Sequence, residues 1–298
     1  MEMSIFLIQA MNGIQYGLLL FLVASGLTLI FGIMGVINIA HGSFYMIGAY
    51  LAWSLIGTTE SFWLGLLLGT FVAMLIGLFL EWGFIRYLYK RDHLQQVLLT
   101  YGLILVFSEV RSILWGDDVH SVPIPEFLSG SIQLTDTLAY PVYRFWLSGV
   151  CIFIALLMFC VITRTRLGMM IRAGESNREM TQALGVNIGL LYRFVFSAGV
   201  TLAALSGMLA SPVSSVFPGM GNQVLIVSFV IIVIGGLGSI KGAMVAALMV
   251  GLIDTFGKVI DLELFGIEIF PSMAGMSVFV LMALILLFRP QGLFGEVR

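Results

Sequence analysis

Charge is what this sequence has least of. Of its 298 residues, 14 are Lys or Arg and 16 are Asp or Glu, so only 10% are charged; soluble domains carry about 25%. So few charges cannot cover a water-facing surface of this size, which excludes an ordinary soluble enzyme or binding module. There are two cysteines, Cys151 and Cys160, both inside one apolar run. That leaves no disulfide framework or metal-ligand spacing, and both read as buried thiols. With three histidines and no paired-histidine helix, a zinc hydrolase is excluded; Ser239 has no nucleophile setting or base around it. No Gly-x-x-x-x-Gly-Lys-Ser/Thr loop is present, since Gly257-Lys258 is followed by Val259. The N-terminus, Met1-Glu2-Met3-Ser4, lacks a basic residue and an evident cleavage site, and is expected to lead into an uncleaved first span. The net charge of −2 says little about partners; membrane lipid is expected, and nucleic acid is not.

What the chain does have is apolar length, with 60% hydrophobic residues. A hydrocarbon core roughly 30 Å thick takes about 20 apolar residues per helix. Runs near 8–31, 36–57, 62–86, 94–115, 144–163, 190–211, 223–239, 242–258 and 271–289 fit that length. The expected fold is an all-α, polytopic transmembrane bundle of about 8–9 spans with discontinuous helices, forming a single integral-membrane domain over 1–298. Residues 223–258 read either as two spans or as a re-entrant pair. Arg86, Lys90 and Arg91 fall in one connection, Arg164, Arg166, Arg172 and Arg178 in another, and Arg289 and Arg298 flank the C-terminus. Counted along these spans, all three groups share one side, which the Lys/Arg excess makes cytoplasmic. The opposite side carries the acidic stretches with Asp117, Asp118, Glu126 and Asp136, and with Asp261, Glu263 and Glu268. The N-terminus is then expected outside and the C-terminus inside.

Small residues recur every four positions at Gly199, Ala203 and Gly207, and at Ala243, Ala247 and Gly251. That spacing lets membrane helices approach closely, and internal packing is the first reading. The connection 164–189 is more specific. Ser176 with Glu179 fits a capping box, and Gly185 suits a left-handed helix end. Between them fits a helix of about two turns with Met180, Ala183 and Leu184 on one face. So short a helix is marginal without packing, so it either docks a partner or packs on its own subunit. Two further stretches interrupt the apolar pattern. The first runs from Asn12-Gly13 through Gly26, Thr28 and Gly32 to Gly35, Asn38, His41, Gly42 and Ser43; the second is Gly235-Gly236-Leu-Gly238-Ser239 to Gly242. Broken backbone at membrane depth is tolerated where it is buried in protein or lines a watery cavity, and transporters hold solutes there. Each stretch serves equally as a tight turn between spans.

Isolated polar residues have plainer readings. Glu81, near Arg86, Glu109 and Asp254, with Lys258 four residues on, are expected as interfacial anchors. His93 and His120 are expected to be solvated. His41 either touches solute or bonds a backbone carbonyl. The outer loop 116–143, with Pro123, Pro125 and Pro141, either receives a solute-binding protein or is simply solvated.

Several stretches carry a resemblance in order and spacing. These are LTLIFG ending at Gly32, with Asn38, His41-Gly42 and Gly48-Ala49-Tyr50; Arg172-Ala173, Asn177, Ala183 and Gly185; Gly235-Gly236, Gly238-Ser239 and Gly242; and Arg289-Pro290, Gly292-Leu293-Phe294-Gly295. Over nearly the whole chain they resemble the branched-chain amino-acid type of ABC transporter permease, and most closely its shorter, H-type subunit. The resemblance implies that 164–189 is a coupling segment, with Arg172, Ala173, Ser176, Asn177, Glu179, Met180, Ala183, Leu184 and Gly185 meeting an ATPase. It implies a substrate path near Asn12, Thr28, Asn38, His41, Ser43, Gly236, Gly238 and Ser239. It further implies a second related permease, two ATP-binding subunits that hold the ATP and magnesium, and a periplasmic solute-binding protein. This chain itself is expected to bind no metal or cofactor and to be no enzyme. The expected function is alternating-access import of branched-chain or related amino acids across a bacterial inner membrane. A secondary transporter or channel for urea or a short amide is the alternative, but it gives no reason for the capped cytoplasmic helix.

Overall fold

Apolar residues here fill whole helix turns rather than single faces, as required of helices with lipid or other helices on every side. The computed structural model describes residues 2–89, 91–135, 138–258, 263–264, 267–268 and 270–295. Lys90, Asp136, Asp261 and Arg298, used above to assign sides, lie outside them. Among the described residues the helices are α1 (Glu2–Met34), α2 (His41–Thr59), α3 (Phe62–Gly83), α4 (His93–Trp115), α5 (Val142–Arg164), α6 (Arg166–Ser176), α7 (Arg178–Ala183), α8 (Ile188–Ala210), α9 (Met220–Gly235), α10 (Ile240–Gly257) and α11 (Phe270–Phe288). Two short antiparallel hairpins sit in connections, β1 (Ser131–Thr135) with β2 (Leu138–Pro141) and β3 (Glu263–Leu264) with β4 (Ile267–Glu268). The helical bundle is therefore as expected, with a long helix at each of the nine apolar runs. Six of these, α1, α3, α4, α5, α8 and α10, are long and apolar enough to cross a membrane. Helix α9 is shorter, and α2 is sheathed by protein along most of its length.

The architecture is concentric. Helix α1 is the axis, 89% buried over its most apolar window, with α8 and α10 packed along it. Glycine makes this possible by removing side chains where backbones touch. A Cβ on Gly26 would stand 2.6 Å from the Gly199 carbonyl, and one on Gly17 2.8 Å from that of Ala247. The two small-residue stripes are thus internal packing surfaces. Helices α3, α4 and α5 form the outside, burying only 28%, 17% and 17% of their apolar windows. Cys151 is buried, but Cys160 faces outward among exposed apolar residues of α5, contrary to the expectation for both thiols.

The arginine connections share one end of the bundle: Arg86, Arg91 and Arg178 line one cleft there. At the other end the β1–β2 hairpin leads into α5, and Tyr140 and Arg144 both donate to the Asn12 Oδ1, at 3.2 and 2.6 Å.

Candidate functional site

The Asn12-Gly13 and Gly26–Gly32 glycines do not break α1, which runs unbroken to Met34. They are close-contact positions: Gly13 backs onto Leu252 and Gly26 onto Gly199. The break lies wholly in 35–40. Gly35 takes φ +63°, and the chain then turns back into the bundle. His41 Nε2 lies 3.0 Å from the Val23 carbonyl. Val23 stands eleven residues before Met34, so α2 starts about 16 Å inside the bundle from the end of α1. Gln96 on α4 holds the returning strand, its Oε1 accepting from Ile37 N at 3.1 Å while its Nε2 donates to the Leu88 and Arg91 carbonyls. Sequence reading missed Gln96, because nothing local marks a glutamine as the partner of a backbone 59 residues away.

A second helix starts at the same depth. Gly42, in the first turn of α2, lies backbone to backbone with Gly221 in the first turn of α9. After α8, residues 211–219 pass the hairpin end, where Val216 pairs with His120, and then dip inward to α9. The stretch that meets the first break is therefore 211–219, while Gly235–Gly242 lies elsewhere. Its signal was legible as Pro212, Pro218 and Gly219 ahead of an apolar run. At 16 residues, α9 spans about 24 Å, less than a full crossing.

Two helix starts therefore meet inside the bundle, and neither N-cap, Ala40 or Gly219, supplies a capping side chain. Each start carries the positive end of a helix dipole, although His41 N and Ser43 N at α2, and Met220 N and Asn222 N at α9, already donate to carbonyls of the preceding turn. Around them the Asn38 Nδ2 and His41 Nδ1 are buried with no hydrogen-bond partner among the described residues. Asn222 and Gln223, one turn into α9, are exposed polar residues at that depth. Such an arrangement favours a carboxylate or zwitterion, and the burial of Asn38, His41 and Ser43 makes it closed in this conformation. The other expected path residues are engaged elsewhere. Thr28 donates to the Ala24 carbonyl at 2.7 Å, and Asn12 belongs to the hairpin end. Ser239 caps α10 by accepting from Gly242 N at 3.1 Å.

Gly236, Gly238 and Ser239 form a separate junction at the arginine end. A Cβ on Gly32 would lie 3.0 Å from Gly238 Cα, so the end of α1 rests on the α9–α10 turn. The C-terminal Gly292–Gly295 stretch plugs the same turn, with Leu293 N donating to the Ile234 carbonyl at 2.8 Å and Phe294 N to that of Gly235 at 3.0 Å. Glu175 of α6 reaches this point as well: a Cβ on Gly238 would stand 3.3 Å from its Oε1.

The segment 164–189 contains two helices, α6 and α7. Thr165 Oγ1 accepts from Gly168 N at 3.2 Å to start α6, and Arg172 folds back on the Ile162 carbonyl. The capping residue of α7 is Asn177, which accepts from Met180 N at 2.9 Å, not Ser176, which ends α6. The expected capping box is therefore absent: the cap moves one residue on, because α6 stays helical through Ser176, and N3 becomes Met180, which cannot return a bond. Gly185 does take the left-handed conformation, φ +88°. Gly185 N donates to Gln182 O and Val186 N to Thr181 O, the pair of bonds that closes a Schellman motif. Thr181 packs inward, whereas Arg172, Ala173, Ser176, Asn177, Glu179, Met180, Ala183, Leu184 and Gly185 are all exposed.

Other polar residues were assigned less well. Glu81 is no interfacial anchor; it is buried, and accepts from Arg193 Nε at 2.9 Å and from the Tyr89 hydroxyl at 2.5 Å. Burial, and then the bond to Glu81, hold the Tyr89 hydroxyl above its ordinary pKa, so it stays a donor. Arg178 lies 4.9 Å over the Tyr192 ring and 5.7 Å over that of Tyr89, tying the start of α7 to this network. Asp254 pairs with Lys258 as expected, and Glu109 is exposed. His93 is exposed too, but His120 is stacked on Trp53 at 3.9 Å instead of being solvated. Arg111 is buried and reaches Asp117 at 2.5 Å, which holds that carboxyl below its usual range.

Comparison with known proteins agrees with this fold. Residues 9–288 match the family described as branched-chain amino acid transport system / permease component. The chain is 32% identical to the high-affinity branched-chain amino acid transport system permease protein BraD of Pseudomonas aeruginosa, covering 99% of this chain and 97% of that one. It is 27% identical to LivH, the corresponding permease protein of Salmonella typhimurium, over 98% and 96%. It is 24% identical to the ribose import permease protein RbsC of Haemophilus influenzae, over 81% and 75%. Among solved structures, PsaBC from Streptococcus pneumoniae in complex with Fab is similar in fold, with TM-score 0.50 and 12% identity over 94% of this chain and 91% of that one. An axial helix sheathed by glycine contacts, two internal helix starts and a match over almost the full length agree: this chain belongs to the branched-chain amino acid transport system permease family.

Proposed function

We propose that this permease is one membrane subunit of an ATP-driven importer for branched-chain or closely related amino acids. It works with a second related permease, two ATP-binding subunits and a periplasmic solute-binding protein, in a bacterial inner membrane. The N-terminus faces the periplasm and the C-terminus the cytoplasm. ATP and magnesium are held by the ATP-binding subunits.

One observation carries this reading. The exposed helix α7 is closed at both ends by its own caps, and the α6 helix before it places Glu175 against the Gly32–Gly238 contact. A push on α6 and α7 therefore bears on the junction where α1, α9 and α10 meet. ATP binding draws the two ATPases together, α7 follows, and the α2 and α9 starts open toward the solute. Their paired positive ends receive the carboxylate of an amino acid, and the exposed Asn222–Gln223 side of α9 forms part of the wall. Binding there is weak, because affinity resides in the solute-binding protein.

Co-purification with the ATP-binding subunit of the same system tests the docking. Met180→Glu with Leu184→Glu places two carboxylates where exposed apolar side chains should be covered, and the ATPase is lost while the permease stays monodisperse. Normal complex formation and uptake in that variant sinks the assignment. Substrate is tested separately by ATP-dependent uptake of labelled leucine into vesicles containing the whole complex. Uptake of urea or an aromatic acid in its place refutes the amino-acid reading.

A further inference from the structure

At the arginine end, between α3 and α8, lies a cleft of about 380 Å³ lined by Glu81, Arg86, Tyr89, Gly189, Leu190 and Arg193. Arg86 and Tyr89 also line a neighbouring cleft of about 470 Å³, which Arg91 and Arg178 complete. Among the described residues, four arginines and one carboxylate line the two adjoining clefts, and that carboxylate already accepts from Arg193 and Tyr89. Aromatic rings orient two of the arginines, Arg86 at 5.1 Å over Tyr87 and Arg178 at 4.9 Å over Tyr192. A planar, pre-oriented guanidinium matches phosphate oxygens in pairs. The first cleft also contains the start of the 23-residue helix α8, where Asn187 accepts from Leu190 N at 3.1 Å and Gly189 leaves the first turn bare. Helix starts attract phosphate for the same reason they attract carboxylate.

The surroundings indicate where such a phosphate comes from. Leu190 in the cleft wall is half exposed, and Phe194, one turn further along α8, is equally exposed. On α3, Phe79 and Trp82 are exposed at 59% and 57%. An apolar strip therefore leads from the cleft along the outside of the bundle, suited to acyl chains and of no use to a free ion. We propose that this cleft binds the phosphodiester headgroup of an anionic membrane lipid, whose chains lie along α3 and α8. It adjoins the start of α7 through Arg178 but is separate from the exposed Met180 and Leu184 and from the internal helix starts.

The test uses the assembled transporter in detergent, with labelled phosphatidylglycerol and phosphatidylcholine as probes. Phosphatidylglycerol is retained in preference, and Arg86→Gln, at an exposed position, weakens its binding about fivefold, the effect of one basic residue at a membrane surface. Arg91→Gln does the same, while Arg166→Gln, an exposed arginine on α6 outside both clefts, leaves binding unchanged. Equal loss in the Arg166 variant means diffuse attraction without a site, and overturns the proposal. So does the absence of any preference between the two lipids. If inorganic phosphate binds in the absence of lipid and displaces the labelled lipid, the site belongs to a soluble anion. If Arg86→Gln releases the ATP-binding subunit and leaves lipid retention intact, the surface is a protein contact.

Discussion

Removing the Arg193 guanidinium should cost this permease more than removing any other exposed charge. Its Nε is 2.9 Å from the Glu81 carboxylate, and the side chains are 37% and 1% exposed respectively. Truncation by Arg193→Ala strands a buried carboxylate with the Tyr89 hydroxyl as its one remaining donor among the described residues. Breaking a buried pair in this way costs about 3–5 kcal/mol. Because water already reaches the guanidinium, the lower end applies, about 3 kcal/mol. At roughly 2 °C per kcal/mol for a chain of this size, the melting temperature falls about 6 °C. Glu81→Gln keeps an acceptor for Tyr89 and leaves an arginine that water can solvate, so its cost is about 1 kcal/mol. The double variant leaves neither partner's charge at this site and recovers at least half of the Arg193→Ala loss. The assay is thermal unfolding of the detergent-solubilised permease, followed by the monodisperse peak remaining after heating. Arg193→Ala melting within about 1 °C of the parent refutes the reasoning. A double variant whose losses simply add refutes it too, since the two residues would then not be coupled.

Other contacts give equally direct expectations. Gly48→Ala drives a methyl into the Ala204 carbonyl and costs about 1–3 kcal/mol, whereas Gly57→Ala, in a helix with open space beside it, is neutral or stabilising; yields of monodisperse protein compare them. Asn177→Ala removes the α7 cap at about 1 kcal/mol and weakens ATPase binding about fivefold in a titration, while Ser176→Ala does neither. The Asp117 carboxyl is held below its ordinary range by the bond from Arg111, so its stabilising effect is complete at neutral pH and is lost only as pH falls through that lowered value. The stability difference between wild type and Asp117→Asn should therefore stay constant down to about pH 5 and vanish in stronger acid, as followed by melting temperature against pH.

Helix positions were legible because apolar length is a local property, and so was the pair of arginine connections. The caps of the short helix α7 were legible to within one residue. Ser176 and Asn177 are both good caps, and only the extent of α6, set by packing, decides between them. Glycine was the main source of error. At Gly13 and Gly26 it permits backbone contact inside a straight helix, at Gly35 it turns the chain, and composition is identical in both cases. Long-range partners were the other gap: Arg193 for Glu81, Gln96 for Ile37, and the C-terminal Gly292–Gly295 stretch for the Gly235–Gly236 turn. Each partner is ordinary in its own sequence context. The second internal helix start was signalled by Pro218-Gly219, but an apolar run resuming after a turn looks the same whether the turn lies at the surface or midway.

The concentric arrangement also decides which helices feel the bilayer. The apolar span of helix α1 has 30 residues, about 45 Å, yet protein covers most of its apolar window, so lipid length places little demand on it. Matching falls instead to α3, α4 and α5, whose 22, 23 and 23 residues measure about 33–35 Å and face outward. In lipids with shorter chains these outer staves tilt to hide their apolar ends, whereas the glycine-locked axis keeps its angle. Shear then concentrates where the staves meet the helices packed on the axis, as at the α3–α8 seam that holds Glu81 and Arg193. Acyl-chain length is thus a mechanical input to this permease, admitted through three outer helices and resisted by one inner one.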